Sequence, residues 1–332
     1  MKLNYIKFVP VLAGILMLFF VACQKDNIFN QSTIGDDQPT IELSSLSRKC
    51  ATHEYNEALM EKNQQFKENQ QEIEDFTSRF VVQYEKGLTP RTVVTIPVVV
   101  HVVYKTADEN ISDAQVQSQI AILNADFRKL NEDRTLVPSN FTSVAADCEI
   151  NFVLSQIVRK STTATSFGYS GDPVKKSSQG GSDPVNPTTM LNMWACNLGG
   201  GLLGYAQFPG GNAATDGVVC LYSAFGNSSY VPYDKGRTVT HEVGHWFNLR
   251  HIWGDAKCGN DQVSDTPAHD VANYGCPDPG IKSRCSGKPI KMWMNYMDYT
   301  NDACMYMFTT GQKARAQATL GAGGSRASYI LQ

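Results

Sequence analysis

The feature that most constrains this chain is the run T-H-E-V-G-H-W-F-N-L-R-H, from Thr240 to His251. Residues four apart lie on one face of a helix, so His241 and His245 can bind one metal ion. Glu242 is rotated by about 100° from His241 and can reach a water on that metal without being a ligand. These positions alone also fit an ordinary surface helix with two exposed histidines.

Two further features favour a metal site. Asn248 stands where the chain must leave the helix, and Asn tolerates the left-handed conformation that would bring His251 round as a third ligand. Three neutral imidazoles plus a water form the open arrangement of catalytic zinc. The hexapeptide M-N-Y-M-D-Y, Met294 to Tyr299, follows later in the chain.

Together these pieces resemble the metzincin zinc peptidases, whose motif is H-E-x-x-H-x-x-G-x-x-H followed by a Met-turn. Asn248 replaces the usual Gly. The resemblance narrows to the pappalysin family through H-E-V-G-H-W, L-R-H-I-W-G-D, S-D-T-P (Ser264–Pro267), M-N-Y-M-D-Y and C-M-Y-M-F-T-T-G-Q (Cys304–Gln312). I-P-V-V-V-H-V-V-Y (Ile96–Tyr104) and N-L-G-G-G-L-L-G-Y-A-Q-F-P-G (Asn197–Gly210) are similar to its smaller, ulilysin-like microbial members.

The resemblance implies a zinc endopeptidase made as a zymogen, acting on protein or peptide substrates. It implies zinc held by His241, His245 and His251, with Glu242 as general base. Tyr299 would help to stabilise the anionic carbonyl oxygen, and a packed aromatic without that role is the alternative. Met297 would form an apolar floor under the histidines.

Hydrophobic periodicity indicates an α+β order. Strands are predicted at Thr92–Tyr104, Glu149–Val158, Leu191–Leu198 and Gly217–Tyr222, and a final helix at Thr310–Leu320. Another helix begins at Ser112, with Gln115 completing a capping-box pattern. Its predicted apolar stripe is Val116, Ile120, Leu123, Phe127 and Leu130. This order agrees with the two-lobed metzincin catalytic domain, with a twisted mixed sheet, two long helices, the zinc helix and the Met-turn.

Residues 1–22 predict a signal peptide, because two lysines precede the apolar run Phe8–Val21 and a small alanine follows. The run is short for a membrane span, and a membrane anchor is the alternative. Val21-Ala22-Cys23 also resembles a bacterial lipobox, in which Cys23 is acylated. The protein is therefore predicted to be exported, as a cell-surface or outer-membrane lipoprotein or as a secreted protein, and a lipid anchor would be its only link to a membrane.

Residues 23–47 are polar and predict a flexible tether. From Thr52 to about Tyr84, apolar residues recur at helical spacing, so one or two amphipathic helices are expected to pack on something else. A Gly and a Pro end this pattern. The chain is thus divided into a helical pro-segment, 48–90, and a catalytic domain, 91–332.

Cys50 begins the pro-segment in R-K-C-A-T, Arg48 to Thr52. This motif resembles the cysteine switch of the family, in which a pro-segment thiolate binds zinc and displaces the catalytic water. The alternative is an unpaired cysteine in a disordered tail. If the switch operates, the apolar face of the pro-segment covers the catalytic domain.

Export makes disulfides permissible. Cys258, Cys276, Cys285 and Cys304 allow three pairings, and the family resemblance implies Cys258–Cys285 and Cys276–Cys304. Cys148, Cys196 and Cys220 lie in apolar, strand-like stretches and fit buried small hydrophobes, with a Cys148–Cys220 bond as the alternative.

Several acidic residues have expected roles. Asp255, Asp261, Asp265 and Asp270 lie where family members carry structural calcium, and a solvated acidic loop is the alternative. The resemblance to ulilysin-like members implies that Asp302 lies at the base of the pocket for the residue after the cut bond and favours arginine there, and capping of the turn before Cys304 is the alternative. The same preference would direct maturation to Arg91 or Arg79.

Net charge is −3, and no basic field argues for a nucleic-acid partner. The competing functional hypothesis is a non-catalytic surface lipoprotein that uses this fold for binding or adhesion. An intact Glu242 favours the enzyme, because a binding module has no need of a general base.

Overall fold

A five-stranded sheet lies at the centre of the computed structural model, which describes residues 47–89 and 92–331. These residues belong to one unit, Ser44–Gln332. The predicted signal peptide, Cys23, residues 23–46 of the tether and the Pro90–Arg91 boundary lie outside the described residues. In the described ranges, no helix combines the length and apolar character needed to cross a membrane.

The sheet has the strand order β3-β1-β4-β6-β5. Its members are β1 (Val94–Tyr104), β3 (Ile150–Ser161), β4 (Leu191–Cys196), β5 (Gly204–Ala206) and β6 (Val218–Leu221). The first four in this order are parallel, and β5 joins β6 antiparallel. The central strands are buried, which explains their nearly continuous runs of apolar residues.

Strand β5 was not predicted from the sequence, which indicated only a glycine-rich connection between the strands now called β4 and β6. Its three residues, Gly204 to Ala206, close one edge of the sheet. A Cβ atom on Gly204 would lie 2.7 Å from the Glu242 Oε1 atom. Glycine therefore allows this edge to approach the helix that carries the metal-binding motif.

Three α-helices follow the first strand in the chain: α3 (Asp113–Phe127), α4 (Arg237–Trp246) and α5 (Thr310–Leu320). At the start of α3, Ser112 accepts from the Gln115 backbone N–H at 3.1 Å, but the Gln115 side chain donates to the Phe225 carbonyl instead of closing a capping box. Leu130 is 64% exposed, so its place in the apolar stripe was wrong. The helix ends at Phe127, and Lys129 at φ 53° turns the chain away.

The pro-segment forms two helices, α1 (Thr52–Lys62) and α2 (Gln64–Glu85). As predicted, their apolar face packs on the rest of the chain. A Cβ on Gly321 would lie 2.6 Å from the Phe80 ring, so the end of α5 fits closely against α2. Tyr55 of α1 and Phe66 of α2 are also buried.

The region after α4 is rich in loops and is cross-linked by Cys258–Cys285 and Cys276–Cys304. A small sheet pairs β2 (Ala145–Ala146) with β7 (Phe308–Thr309). The proposed Cys148–Cys220 bond is absent, and both thiols are free and buried. Strands β1 and β4 separate β3, which follows Cys148, from β6, and three strand spacings of about 4.8 Å exceed the reach of a disulfide.

Candidate metal centre and active-site cleft

Helix α4 carries His241, Glu242 and His245, and it ends in a turn that reverses the chain. Asn248 adopts φ 66°, the left-handed conformation expected for it. Its N–H donates to the His245 carbonyl at 2.8 Å, and the Leu249 N–H donates to the Gly244 carbonyl at 3.0 Å. This is the Schellman arrangement, and it aims the following segment back towards the helix.

The turn brings three imidazoles together. The Nε2 atom of His245 lies 3.1 Å from the Nε2 of His241 and 3.1 Å from that of His251. The Cys50 thiol joins them, and the four ligand atoms all lie within 4.8 Å of one another. Among the described residues, this is the one group of three or more His, Cys, Asp or Glu side chains placed to hold a metal ion.

The hydrogen bonds of the Nδ1 atoms show which ring nitrogen of each histidine carries a hydrogen. Each Nδ1 faces an acceptor: the Tyr296 carbonyl at 2.7 Å from His241, the Leu249 carbonyl at 2.8 Å from His245, and the Asp255 carboxylate at 2.5 Å from His251. These groups only accept, so each Nδ1 donates, and in a neutral ring the lone pair is then on Nε2.

Burial, and then the neighbouring histidines, hold the pKa values of His241 and His245 well below their ordinary range, so both rings are neutral. Three converging lone pairs repel one another unless a cation lies between them. The donor set therefore fits zinc with three nitrogen ligands and a fourth, exchangeable position.

Glu242 lies beside the histidines and is almost fully buried. Its Oε2 accepts from the Thr52 hydroxyl at 2.8 Å and lies 3.4 Å from the Cys50 sulfur, whereas its Oε1 has no hydrogen-bond partner. Burial raises the pKa of Glu242 to about 7, although the hydrogen bonds from Cys50 and Thr52 oppose this rise. A carboxylate with one free oxygen beside the three imidazoles can accept a proton from a group bound between them.

Met297 is fully buried and lies against helix α4. A Cβ added to Gly244 would lie 2.4 Å from the Met297 sulfur. The glycine within H-E-V-G-H therefore lets the Met-turn pack directly against α4.

The pro-segment occupies the cleft between β5 and the histidines. Leu203 donates its N–H to the Lys49 carbonyl at 2.9 Å, and Ala51 donates its N–H to the Gly204 carbonyl at 3.1 Å. Cys50 pairs with Gly204 in the parallel sense. The pro-segment thus adds a short parallel strand to the sheet edge and places the Cys50 thiol at the metal site.

Side chains from α1 cover the rest of this edge. The Ala206 N–H donates to the Thr52 hydroxyl at 2.9 Å. The Asn56 carboxamide donates to the Ala206 carbonyl at 2.9 Å and accepts from the Phe208 N–H at 2.8 Å. Asn56 therefore stands where a peptide group of an added strand would bind.

Tyr299 closes the cleft opposite β5. Its ring centroid lies 5.7 Å from that of His241 and 4.9 Å from that of His251. Its hydroxyl donates to the Cys50 carbonyl at 3.2 Å. A peptide carbonyl beside the metal ligands is thus within reach of this hydroxyl.

Asp302 is buried beneath the cleft and binds an arginine of the pro-segment. The Arg48 Nη2 atom lies 2.6 Å from the Asp302 Oδ1 atom, and both side chains are almost fully buried. The Asp302 Oδ2 atom accepts from the Lys235 and Arg237 N–H groups. The Asp302 side chain makes no bond within the turn Asp302–Cys304, and its carboxylate holds the Arg48 guanidinium instead.

The four aspartates considered for calcium have separate partners. Asp255 orients His251, Asp261 accepts from Thr266, Asp265 accepts from Thr309 and Gly311, and Asp270 pairs with Lys291. Sequence reasoning missed the role of Asp255, although its position four residues after His251 was a usable signal. It also missed the roles of Arg48, Thr52 and Asn56, whose partners in the cleft, Asp302, Glu242 and Ala206, are more than 100 residues away.

Comparison with known proteins agrees with this geometry. The family model for pregnancy-associated plasma protein-A, peptidase family M43, matches residues 183–321. An extracellular metalloprotease of Colletotrichum graminicola is 33% identical over 242 residues, 69% of this chain and 77% of the relative. Another from Podospora anserina is 32% identical over 285 residues, 80% of this chain and 86% of the relative.

Two solved structures from Tannerella forsythia are similar. Mature mirolysin in complex with a cleaved peptide shows 45% identity and a TM-score of 0.71, covering 73% of this chain and 97% of its own. A promirolysin mutant shows 41% identity and a TM-score of 0.77, covering 85% of this chain and 97% of its own. The promirolysin structure covers a larger share of this chain than the mature mirolysin structure does, as expected for a precursor that retains its pro-segment.

Proposed function

The chain belongs to the pappalysin family and is a zinc metalloendopeptidase, and we propose that Glu242 is its general base and that residues 48–90 keep it latent. The observation that carries the proposal is the convergence of three Nε2 lone pairs, the free Glu242 Oε1 and the β5 edge in one cleft. Because the chain is an enzyme, the alternative hypothesis of a non-catalytic binding lipoprotein is rejected.

His241, His245 and His251 would hold the zinc. Bound there, zinc would lower the pKa of a water and polarise a peptide carbonyl. Glu242 takes a proton from the attacking water and passes it to the leaving amine. Tyr299 donates its hydroxyl to the carbonyl oxygen as negative charge develops, the position in which it now meets the Cys50 carbonyl.

The substrate binds by adding a strand to β5. Once the pro-segment has left, the carbonyls of Gly204 and Ala206 and the N–H groups of Ala206 and Phe208 become free to pair with an extended peptide. Backbone pairing holds the peptide in place, while pockets beside it select side chains.

Latency rests on several contacts of one short segment. Cys50 would supply the fourth zinc ligand, and the Thr52 hydroxyl donates a hydrogen bond to a carboxylate oxygen of Glu242. Arg48 fills the pocket at Asp302. Each contact blocks a different part of the catalytic machinery.

We further propose that Asp302 favours Arg or Lys after the scissile bond. A buried carboxylate that binds the Arg48 guanidinium at 2.6 Å supports this preference. Cleavage of the bond before Arg91, which would release the pro-segment, would follow the same preference. Arg79 is the other candidate, but it lies within α2, where cleavage requires local unfolding.

Export and accessory metal binding complete the proposal. Extracellular relatives support secretion, and the lipobox supports acylation of Cys23, which radiolabelled lipid incorporation would test. Structural calcium in the loop after His251 would draw on backbone carbonyls, since no three described carboxylates converge there. Calcium binding by the zinc-loaded protein tests this part.

The central test is replacement of Glu242. Glu242→Ala and the isosteric Glu242→Gln should keep zinc at one ion per chain and lose casein hydrolysis by about 10²–10⁴-fold, the usual contribution of a general base. Glu149→Gln, altering a carboxylate that pairs with Lys313 away from the cleft, is the control. Activity within about tenfold of wild type in both Glu242 variants would refute the assigned base.

A further inference from the structure

Tyr55 of α1 fills a closed pocket on the face of the sheet opposite Glu242. Its ring packs edge-on against Tyr205, at 4.9 Å between centroids, and against Tyr169, at 6.4 Å. The side chain is 2% exposed. Because Tyr55 belongs to the pro-segment, maturation would leave an aromatic-walled pocket in the catalytic domain.

The base of this pocket is built from charged groups. Asp172 accepts from the Tyr55 hydroxyl at 2.8 Å, and Lys175 donates to the same oxygen at 3.3 Å. Lys175 and Asp172 are themselves paired at 3.0 Å and almost fully buried. The Lys175 ammonium also lies 5.0 Å from the Tyr205 ring centroid.

These groups match a phenol in particular. Burial, and then the Asp172 charge, raise the pKa of Tyr55 well above its ordinary value, so the hydroxyl remains a donor to the carboxylate. A phenylalanine side chain would fill the same volume but leave the Asp172 oxygen without that donor. An unpaired buried acceptor is costly, so the pocket distinguishes the two rings.

The pocket adjoins the substrate-binding edge. Successive residues of β5 point to opposite faces, so Gly204 faces Glu242 and Tyr205 faces Tyr55. In a strand added to β5, the residue opposite Tyr205 points to the same face as Tyr205. Its side chain would therefore enter the space now held by Tyr55.

The two occupied pockets also set the direction of the substrate. Arg48 and Tyr55 lie on opposite sides of Cys50 along the cleft. If the Asp302 pocket binds the residue after the cut bond, as in the proposed function, the Tyr55 pocket binds a residue before it. The substrate then runs antiparallel to β5, the reverse of the pro-segment.

We propose that the pocket formed by Tyr169, Asp172, Lys175 and Tyr205 is a second specificity site, which binds a tyrosine side chain of the substrate on the N-terminal side of the scissile bond. This inference rests on the proposed function, because it takes the cleft as the substrate site.

The test is a peptide series on the matured, zinc-loaded enzyme. Each peptide carries Arg directly after its scissile bond. Tyr, Phe or Ala is placed in turn at each of the preceding positions, about three in all, because strand β5 is long enough to pair with a stretch of that length. At one position, kcat/KM should fall about tenfold from Tyr to Phe, equivalent to the roughly 1.4 kcal/mol of one hydrogen bond to a charged partner. It should fall further to Ala.

Asp172→Asn tests the chemistry, because Asn tolerates the left-handed backbone of this residue. The ratio of Tyr to Phe cleavage within one preparation should fall severalfold, whatever fraction of the variant is folded. Asp183→Asn, on the same loop but exposed, should keep the wild-type ratio.

The outcomes separate the two proposals. Equal cleavage of the Tyr, Phe and Ala peptides at every position, while the reference Arg peptide is cut, overturns the pocket and leaves the protease mechanism intact. Failure to cut any peptide, the reference included, overturns the proposed mechanism and the pocket with it.

Discussion

Replacing Glu74 should loosen the pro-segment at a contact separate from those made by Cys50 and Arg48. This residue of α2 binds Arg315 of α5 through both carboxylate oxygens at 2.9 Å, and it also accepts from Arg250 at 3.3 Å and from Asn248 at 3.1 Å. Burial opposes ionisation of Glu74, but Arg315 and Arg250 outweigh it and hold the pKa below its ordinary value. The pro-segment is therefore clamped to the turn that precedes His251.

The magnitude follows from burial. Removing one partner of a buried ion pair costs about 3–5 kcal/mol, because the other charge is left unpaired. Arg315 is 3% exposed, but Glu74 is 18% and Arg250 is 32% exposed, so solvent offsets part of this loss. We expect Glu74→Gln to cost about 2–3 kcal/mol, equivalent to about 30- to 150-fold in the docking equilibrium of α2.

Hydrogen exchange of the α2 amides measures this directly. In a Glu242→Ala precursor, which cannot mature itself, Glu74→Gln should speed exchange across α2 by that factor and leave β1 and β4 unchanged. Glu72→Gln, an exposed residue of the same helix, is the matched control. Exchange within twofold of that control would show that the clamp contributes nothing to docking.

Further predictions concern the site itself. His251→Ala should remain folded but lose most bound zinc by elemental analysis, and full occupancy would refute its role as third ligand. Cys50→Ala precursor should become active much faster than wild type, and equal latency would mean that the pro-helices act by steric cover alone. Gly244→Ala should lower stability by about 1–3 kcal/mol through overpacking against the Met-turn, whereas Gly168→Ala, with no atom within 4 Å, should not. Asp302→Asn should reduce the preference for Arg after the cut bond, and an unchanged cleavage profile would remove Asp302 from this pocket.

The sequence alone identified the three histidines and Glu242 of the metal centre, because their arrangement is local. Helical periodicity places His241, Glu242 and His245, and the left-handed tolerance of Asn248 accounts for the turn to His251. The amphipathic helices of the pro-segment and the helix Thr310–Leu320 were predictable for the same reason. Their apolar spacing and end signals lie within a few residues of one another.

Tertiary structure decided what surrounds that centre. Strand β5 has three residues and the first is a glycine, which is too short a pattern to stand out, and it forms only because β6 offers a paired edge. The pairs Arg48–Asp302, Tyr55–Asp172 and Glu74–Arg315 join positions more than 100 residues apart. No local periodicity encodes such contacts, since they depend on how the pro-segment closes over the finished sheet. The histidine ligands of the metal could thus be predicted from the sequence, whereas the proposed substrate pockets exist only once the fold brings distant side chains together.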